Sequence, residues 1–304
     1  METLNVGIVG LGRMGAAMAK RLTAGGVRVV AYDSVPAVVE SARQMGIDGC
    51  ASLSLLVERL HRPRTVWCML PEGAPTGDAI ASLTELLDPD DVIIDGGNSY
   101  YKETVRRADF VAKRGIHFVD VGTSGGVHGE ANGFCLMVGG DPGVVQRLIP
   151  LFRVLAPAHN RGWGRVGPVG AGHFVKMIHN GVEYGMMQSI AEGFSLLSSK
   201  ASFGLDTAQI ARIWQDGSVV RSWLLDLTAD ALDENPKLGG IAPHVPDTGE
   251  GRWTVTEAVE QGVPAPVITL SLMQRFASRD SEGFAHKLLS ALRNRFGGHY
   301  IKPS

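Results

Sequence analysis

The first half of the chain alternates short apolar runs with segments that have the 3.6-residue period of a helix. The apolar runs predict buried strands at residues 4–9, 27–32, 65–70, 91–95, 116–120, 134–138 and 154–157. Helical periodicity between the strands covers residues 14–24, 37–45 and 101–114. Because strands and helices alternate, this half predicts a parallel sheet with helices on both faces.

After about residue 167 the pattern becomes helical and no convincing strand follows. The predicted helices cover residues 171–200, 207–215, 219–232, 254–261, 266–278 and 281–295. A Gly/Pro-rich interruption at residues 235–251 is too long for a simple helix connection, which suggests a functional loop. We therefore predict a Rossmann-type, doubly wound α/β domain over residues 1–165 and an all-helical domain over residues 166–304.

Composition indicates a folded protein with a sizeable core. Of the 304 residues, 44 % are hydrophobic and 20 % are charged, which excludes a disordered chain. The 29 basic and 31 acidic residues give a formal charge of −2, so nothing points to nucleic acid or a membrane surface. A local arginine cluster could still bind a phosphorylated small molecule. The 39 glycines occur in short groups, which indicates tight turns and close approach of backbone to a ligand.

Cysteine usage and the absence of targeting signals bear on the cellular setting. Cys50, Cys68 and Cys135 form no C-x-x-C pair, so we expect neither a disulfide framework nor a metal site. No stretch approaches the 18 apolar residues of a membrane span, and the N-terminus lacks the basic region of a signal peptide. We expect a soluble, cytoplasmic protein.

A glycine-rich motif near the N-terminus predicts a dinucleotide site. Gly10-Leu11-Gly12-Arg13-Met14-Gly15 fits G-x-G-x-x-G, follows a predicted strand and opens a predicted helix. Glycines let the backbone approach a pyrophosphate, and the helix N-terminus supplies free N–H groups and a positive dipole end. A plain structural turn is the alternative, but the strand–turn–helix context favours the cofactor.

The choice of cofactor depends on Asp33, which ends the second predicted strand 23 positions after Gly10. A carboxylate there would accept hydrogen bonds from the adenosine ribose hydroxyls. It would also repel a 2′-phosphate, and no Lys or Arg follows in residues 34–36. The sequence therefore predicts NAD in preference to NADP.

A nearly uncharged helical segment, residues 166–191, carries only two charged side chains, Lys176 and Glu183. At about 100° per residue, Lys176, Asn180 and Glu183 share one narrow stripe, with His179 on its edge. A solvated polar face is the alternative, but such a face would carry more charges. A mostly buried helix with one polar stripe suggests a lined cleft, because isolated buried charges are costly.

Two further glycine-rich segments follow predicted strands. After the strand that ends at Asp120, the backbone N–H groups of Ser124, Gly125 and Gly126 could cradle a carboxylate, with a plain turn as the alternative. The second segment, Asp95-Gly96-Gly97-Asn98-Ser99, lies at the carboxyl end of a strand, where open α/β sheets bind ligands.

Together these motifs closely resemble the decarboxylating 6-phosphogluconate dehydrogenases in their short form, within the β-hydroxyacid dehydrogenase group. Besides the GLGRMG turn, the matching segments are IDGGNSYYKE from Ile94, DVGTSGGVHGEANG from Asp120, GPVGAGHFVKMIHNGVEYGMMQ from Gly167, GEGRWT from Gly249 and RNRFGGH from Arg293. The stretch HFVKMIHNGVEYG is highly specific, because simpler members share the Lys…Asn pair but lack the His-Asn-Gly-x-Glu-Tyr-Gly arrangement.

The resemblance implies oxidation of 6-phospho-D-gluconate at C3 with reduction of NAD. Loss of CO₂ would then give D-ribulose 5-phosphate, a step of gluconate utilization and the pentose phosphate pathway. Lys176 matches the base for the C3 hydroxyl, and Glu183 matches the acid that protonates C1. A lysine base at neutral pH needs a pKa about three units below the usual value near 10.4, so we expect burial beside the cofactor.

The resemblance also assigns binding residues. The substrate contacts implied within one subunit are Asn98, Ser124, Gly125, Gly126, His179, Asn180, Tyr184 and Arg275. Arg293 and His299 match tail residues that reach a neighbouring subunit's site, so we expect a homo-oligomer, either a dimer or a tetramer. The cofactor contacts implied are Gly10, Leu11, Gly12, Arg13, Met14, Gly15, Asp33, Met69, Leu70 and Asn98.

One departure concerns the substrate phosphate. The long forms carry a phosphate-contacting Lys where this chain has Thr248, and they carry Thr where it has Glu250. Thr248 could offer at most a neutral hydrogen bond, and an acidic side chain near a phosphate would repel it.

Two other functions remain open from the residues alone. A non-decarboxylating β-hydroxyacid dehydrogenase would not need the acid Glu183, and a non-catalytic NAD-binding sensor would not need Lys176.

Overall fold

The computed structural model describes residues 4–303, and these residues contain one eight-stranded sheet. Its strands are β1 (Asn5–Val9), β2 (Arg28–Tyr32), β3 (Asp48–Cys50), β4 (Thr65–Cys68), β5 (Val92–Asp95), β6 (His117–Ser124), β7 (Cys135–Gly139) and β8 (Trp163–Gly167). The spatial order is β3-β2-β1-β4-β5-β6-β7-β8, and every neighbouring pair is parallel except β6 and β7. The order reverses between β1 and β4, which is the switch point where doubly wound sheets bind ligands.

Helices cover both faces of this sheet, as the sequence predicted. They are α1 (Arg13–Ala24), α2 (Pro36–Gln44), α3 (Leu53–Glu58), α4 (Ala74–Leu86), α5 (Tyr101–Ala112), α6 (Gly129–Asn132) and α7 (Pro142–Leu155). Successive strand residues point to opposite faces, so Ile8 packs in the cluster with α1 and α7 whereas Val9 packs in the cluster with α3, α4 and α5. The near-continuous apolar character of the strands therefore reflects burial on both sides.

The strand predicted at residues 154–157 is wrong, because α7 continues to Leu155 and β8 comes later. Asp141 caps α7 by accepting hydrogen bonds from the N–H groups of Gly143 and Val144. Buried residues of α7, including Leu151 and Leu155, recur at helical spacing. A short apolar run at the end of a buried helix looks like a strand when it is judged by hydrophobicity alone.

The described residues divide into two compact units that meet in the chain between His179 and Asn180. The division falls within one continuous helix, α8 (Ala171–Ser199), and the remaining helices are α9 (Thr207–Gln215), α10 (Trp223–Glu234), α11 (Glu250–Gln261), α12 (Pro266–Ala277) and α13 (Phe284–Gly297). The second unit is thus all-helical in its described part, which confirms the predicted fold class. No described helix is long and apolar enough to cross a membrane.

Many apolar side chains of the second unit are exposed in the single chain. The expectation that α8 is mostly buried is wrong for part of its surface, since Val182, Met186 and Met187 are exposed. No described residue of α13 is buried, and Phe296 near its end is 97 % exposed. Within the described residues, no element covers these apolar faces of α8 and α13.

Candidate active site

The glycine turn after β1 requires glycine at two positions for steric reasons. Gly10 has a φ of 93°, and a side chain there would collide with the backbone of Met69 on the neighbouring strand's extension. A side chain at Gly15 would collide with the Gly10 carbonyl group, so α1 could not pack so closely on β1. By contrast, no atom lies within 4 Å of a Cβ built on Gly12. The turn is therefore tight at its base and open at the helix N-terminus.

Asp33 braces this turn from the end of β2. Its Oδ2 accepts a hydrogen bond from the Leu11 N–H at 2.7 Å, and its Oδ1 accepts one from the Val35 N–H at 2.9 Å. A carboxylate has about four acceptor positions, so these two bonds leave capacity for ribose hydroxyls. The open helix N-terminus and this carboxylate together suit a dinucleotide.

A cavity of about 320 Å³ opens at the carboxyl ends of the central strands, beside the N-terminus of α1. The predicted site residues that line it are Gly12, Arg13, Met14, Gly15, Met69, Leu70, Asn98 and Lys176. It is also lined by Pro71, Gly96, Gly97 and Thr123. The predicted residues Gly10, Leu11, Asp33, Ser124, Gly125 and Gly126 are not part of its lining. The fold thus brings the predicted base and the predicted cofactor turn into one cavity.

Lys176 reaches this cavity because the start of α8 is anchored to the end of the sheet. Asp120 is fully buried, and its two carboxylate oxygens accept hydrogen bonds from the N–H groups of Gly170 at 2.7 Å and His173 at 2.8 Å. Burial raises the pKa of the Asp120 carboxyl group. The His173 ring contacts the Thr104 hydroxyl at 2.7 Å, which ties the same helix turn to α5.

Close packing of β6 on α8 also places Lys176. A Cβ built on Gly122 would lie 2.6 Å from the Gly172 carbonyl oxygen and would collide with the Cβ of Lys176. Only a glycine at position 122 permits this approach of strand and helix.

The Asn98 loop is held from below by Asp95 at the end of β5. The Asp95 carboxylate is fully buried and accepts hydrogen bonds from the Gly97 N–H at 3.2 Å and the Ser99 hydroxyl at 2.8 Å. Arg107 of α5 donates to the same carboxylate at 3.4 Å. Asn98 is therefore presented to the cavity by a loop with a buried, charge-paired support.

The residues predicted as a carboxylate cradle differ in conformation from the expected loop. The strand does not end at Asp120: β6 extends to Ser124 because β7 pairs with it antiparallel, with Ser124 opposite Cys135. The turn begins only at Gly125, which has a φ of 128°, and continues at Gly126 with a φ of 50°. Both glycines adopt conformations that other residues rarely do.

In the second unit, predicted substrate residues gather around the N-terminus of α11. The guanidinium of Arg275 stacks 3.5 Å from the centroid of the buried Tyr184 ring and donates to the Pro246 carbonyl oxygen at 2.8 Å. The Tyr184 hydroxyl accepts a hydrogen bond from the Thr248 N–H at 3.4 Å. Glu183 directly precedes Tyr184 on α8 and is partly buried.

Glu250 and Thr248, the two departures from the long forms, contact each other. Glu250 is 4 % exposed; its Oε1 accepts a hydrogen bond from the Asn180 amide at 2.9 Å, and its Oε2 accepts one from the Thr248 hydroxyl. The acidic side chain is thus engaged by neutral donors of its own unit.

The guanidinium group of Arg252 is paired with Asp247. Asp247 accepts two hydrogen bonds from Arg252, at 2.7 and 3.1 Å, and one from Arg279 at 2.8 Å. The Arg252 hydrogen bond is the main cause that lowers the pKa of the Asp247 carboxyl group.

The predicted tail residues Arg293 and His299 are exposed. Gly298 ends α13 in the left-handed conformation with a φ of 67°, and the Asn294 amide donates to the His299 carbonyl oxygen at 2.8 Å. The chain end therefore forms a turn on its own helix in the described protomer.

Sequence reasoning did not assign the supporting roles of two carboxylates, although Asp95 belongs to a motif that it singled out. Asp95 and Asp120 each end or follow a predicted strand, and a buried acid at a strand end beside a ligand loop is a recognisable signal. The contact of Glu250 with Asn180 had no such signal, because 70 residues separate the two.

The sheet order, the glycine turn and the cavity at the switch point define a Rossmann-type dinucleotide-binding protein. Two family models match the chain: the NAD-binding domain of 6-phosphogluconate dehydrogenase over residues 5–164, and the C-terminal domain of the same enzyme over residues 172–299. The chain belongs to the 6-phosphogluconate dehydrogenase family, as the sequence motifs indicated.

Individual relatives agree in fold and differ in cofactor. The chain is 42 % identical to an NAD(+)-dependent, decarboxylating 6-phosphogluconate dehydrogenase of Haloferax volcanii, covering 98 % of each protein. It is 35 % identical to an NADP(+)-dependent 6-phosphogluconate dehydrogenase of Bacillus subtilis, over 93 % of this chain and 63 % of that protein. The solved structure of the Plasmodium falciparum 6-phosphogluconate dehydrogenase matches with a TM-score of 0.84 at 24 % identity, over 99 % of this chain and 67 % of that one.

Proposed function

We propose that this protein oxidatively decarboxylates 6-phospho-D-gluconate to D-ribulose 5-phosphate and CO₂, with reduction of NAD. The observation that carries the proposal is the position of Lys176, which lines the same cavity as the glycine turn at the N-terminus of α1. A lysine placed there can reach the reacting end of a substrate beside a bound nicotinamide. The family to which the chain belongs supports the same reaction.

The residues around the glycine turn suit NAD. Residues 12–15 would hold the pyrophosphate through backbone N–H groups, and Asp33 would hold the adenosine ribose. When bound, NAD would supply the acceptor for the hydride that leaves C3. Asn98, Met69 and Leu70 would line the nicotinamide end of the cavity.

The chain's own acid and base would move the protons. Lys176 Nζ would take the proton of the C3 hydroxyl, and as an ammonium group it would then donate a hydrogen bond to the C3 oxygen. This donor would stabilise the negative charge that develops on that oxygen as the C1 carboxylate leaves as CO₂. Glu183, seven residues further along α8, would protonate the carbon from which CO₂ departed.

The remaining predicted residues would bind the substrate. Ser124, Gly125 and Gly126, with His179, would hold its carboxylate, and Asn98 and Asn180 would hold its hydroxyl groups. Tyr184 and Arg275 would bind the phosphate, for which the planar guanidinium fork is well suited.

One assay separates this function from its alternatives. Purified protein is supplied with 6-phosphogluconate and NAD, and NADH and CO₂ are measured together. The proposed reaction yields the two in equal amounts. NADH without CO₂ would instead identify a non-decarboxylating hydroxyacid dehydrogenase, and neither product would leave a non-catalytic NAD-binding protein.

We further propose that NAD is preferred over NADP, on account of Asp33. Its carboxylate would repel a 2′-phosphate on the adenosine ribose, and it is held in place by hydrogen bonds from two backbone N–H groups. Asp33→Ala should weaken NAD binding while reducing the discrimination against NADP. A wild-type kcat/KM with NADP that equals or exceeds the value with NAD would contradict this preference.

We also propose a homo-oligomer, a dimer or a tetramer, in which Arg293 and His299 of one protomer complete the site of its neighbour. The exposed apolar side chains of α13, including Leu288, Leu292 and Phe296, support an assembly that covers them. The domain boundary near residue 165 and a cytoplasmic location remain predictions.

A further inference from the structure

The N-terminus of α11 packs unusually closely on α8. A Cβ built on Gly181 of α8 would lie 2.7 Å from the Thr254 side chain, and one built on Gly251 of α11 would lie 2.6 Å from the Tyr184 ring. The two glycines thus allow the helices to approach each other at this crossing. Glu250, the first residue of α11, consequently lies directly against Asn180.

In the hydrogen bond between Glu250 and Asn180, only Asn180 can be the donor. A carboxylate can only accept hydrogen bonds, so the atom of Asn180 that it contacts must be the amide nitrogen, Nδ2. The carbonyl oxygen of Asn180, Oδ1, must then point away from Glu250. Because Glu250 is 4 % exposed, water competes little for this bond.

The second oxygen of Glu250 is also occupied. The Thr248 hydroxyl donates to it, while the Thr248 N–H donates to the Tyr184 hydroxyl. Thr248 therefore restrains the Glu250 side chain and links it to Tyr184 of α8. The two departures from the long forms act as one hydrogen-bonded unit.

We propose that Glu250 is a positioning residue that locks the Asn180 amide so that Oδ1 accepts a hydrogen bond from a substrate hydroxyl. The inference rests on the proposed function, in which Asn180 binds the hydroxyl groups of a polyhydroxy acid. In this role the Glu250 carboxylate helps to select substrates that carry a hydroxyl donor, and it does not act on the phosphate. An Asn180 amide free to flip would instead present its NH₂ group to the substrate in part of the population.

The proposal differs from an electrostatic role in what substitution of Glu250 does. Glu250→Leu removes the acceptor, whereas Glu250→Gln removes the charge but keeps an oxygen for Asn180 and an NH₂ group for the Thr248 hydroxyl. If Glu250 acted by repelling the phosphate, both substitutions would strengthen substrate binding. If it positions Asn180, both weaken binding, and Leu weakens it more.

The experiment measures the Kd for 6-phosphogluconate by calorimetry, together with kcat, the KM for NAD and the melting temperature. We expect Glu250→Leu to raise the Kd about tenfold or more, the loss that accompanies a hydrogen bond to a charged group. The increase in Kd for Glu250→Gln should be several-fold smaller than that for Glu250→Leu. The KM for NAD should stay close to the wild-type value in both variants. A Kd below that of the wild type, or equal losses in both variants, would overturn the proposal.

A matched control and a rescue separate positioning from general damage. Glu257→Leu removes another buried glutamate of α11, two turns away, and should lower the melting temperature without changing the Kd. Asn180→Asp places two carboxylates next to each other and should weaken substrate binding. When it is combined with Glu250→Gln, the direction of the hydrogen bond is reversed, because the new glutamine amide donates to the new aspartate, and the second aspartate oxygen remains available to the substrate hydroxyl. A double variant that binds no better than Asn180→Asp, or a control that loses affinity as Glu250→Leu does, would overturn the positioning role.

Failure of the proposed function is recognised separately. Wild-type protein that binds 6-phosphogluconate but forms no NADH and CO₂ contradicts the activity, while the variant Kd values still decide the role of Glu250. Wild-type protein that does not bind 6-phosphogluconate overturns both.

Discussion

Gly122→Ala is the most direct test of how the fold places the predicted base. Ordinary contact begins near 3.4 Å, and the new Cβ would lie 2.4 Å from the Lys176 Cβ and 2.6 Å from the Gly172 carbonyl oxygen, so β6 and α8 must separate by about 0.8–1.0 Å. Gly172 lies one helical turn before Lys176, so the shift carries the lysine with it. The atoms in conflict are a backbone oxygen and the first carbon of the Lys176 side chain, and neither can move aside as the far end of a flexible side chain could.

The expected cost follows from that displacement. Overpacking of this kind destabilises by about 1–3 kcal/mol, which for a protein of this size lowers the melting temperature by several degrees. A misplacement approaching 1 Å can reduce a rate by about 10²-fold, so kcat should fall by between about tenfold and 10²-fold. The KM for NAD should change little, because the glycine turn of residues 10–15 is built from other residues.

The assay is NADH formation at saturating NAD and 6-phosphogluconate, with the melting temperature measured in parallel. Gly164→Ala is the matched control, since no atom lies within 4 Å of a Cβ at that position of β8. It makes the same chemical change in the same sheet and should leave kcat close to the wild-type value. If Gly122→Ala turns over as fast as Gly164→Ala, packing of β6 on α8 does not position Lys176.

Three further predictions address the chemistry, the assembly and the pH dependence. Lys176→Met should lower kcat by at least about 10²-fold with NAD binding retained. In a single-turnover experiment, Glu183→Gln should slow the formation of ribulose 5-phosphate more than it slows the hydride transfer. Near-normal turnover of either variant would remove that residue from the mechanism. Mixing inactive Lys176→Met and inactive Arg293→Ala proteins should restore activity once subunits exchange, and verified exchange without recovery would exclude a shared site. Because Arg252 lowers the pKa of Asp247 in the folded state, the stability that this carboxylate contributes is present above its unfolded pKa of about 3.9 and is lost as the pH falls through the lower folded value. Urea unfolding should therefore show Asp247→Asn less stable than the wild type at pH 7, with the difference shrinking below about pH 4; a constant difference would contradict this.

Much of the cofactor end could be predicted because its determinants are local. The glycine turn is a stretch of six residues whose conformation depends on positive φ and on close strand–helix packing, and both requirements select glycine. Asn98 and Lys176 were predicted separately, from a strand-end motif and from a helix stripe. A parallel sheet brings the carboxyl ends of its strands, and with them Asn98, to one edge, and Lys176 lines the same cavity because α8 packs closely on β6 at Gly122.

The errors arose where pairing over long distances overrode local pattern. Residues 154–157 looked like a strand because an apolar run does not reveal whether it faces a core as helix or as sheet. Ser124 was predicted to lie in a loop, but antiparallel pairing with Cys135 extends β6 through it. Local sequence carries no information about which partner strand will be available.

By itself, the amino-acid sequence determined the α/β and all-helical halves and the glycine turn, and it predicted Lys176 and Glu183 as the acid–base pair. These depend on periodicity and on conformational limits that act between near neighbours in the chain. Only the tertiary structure decided that Asp120 anchors the start of α8, and that Glu250 faces Asn180 instead of standing as an unpaired charge. Such contacts join residues 50 and 70 positions apart, and they exist because close packing at glycines brings backbones together, a consequence of the whole fold and not of any local segment.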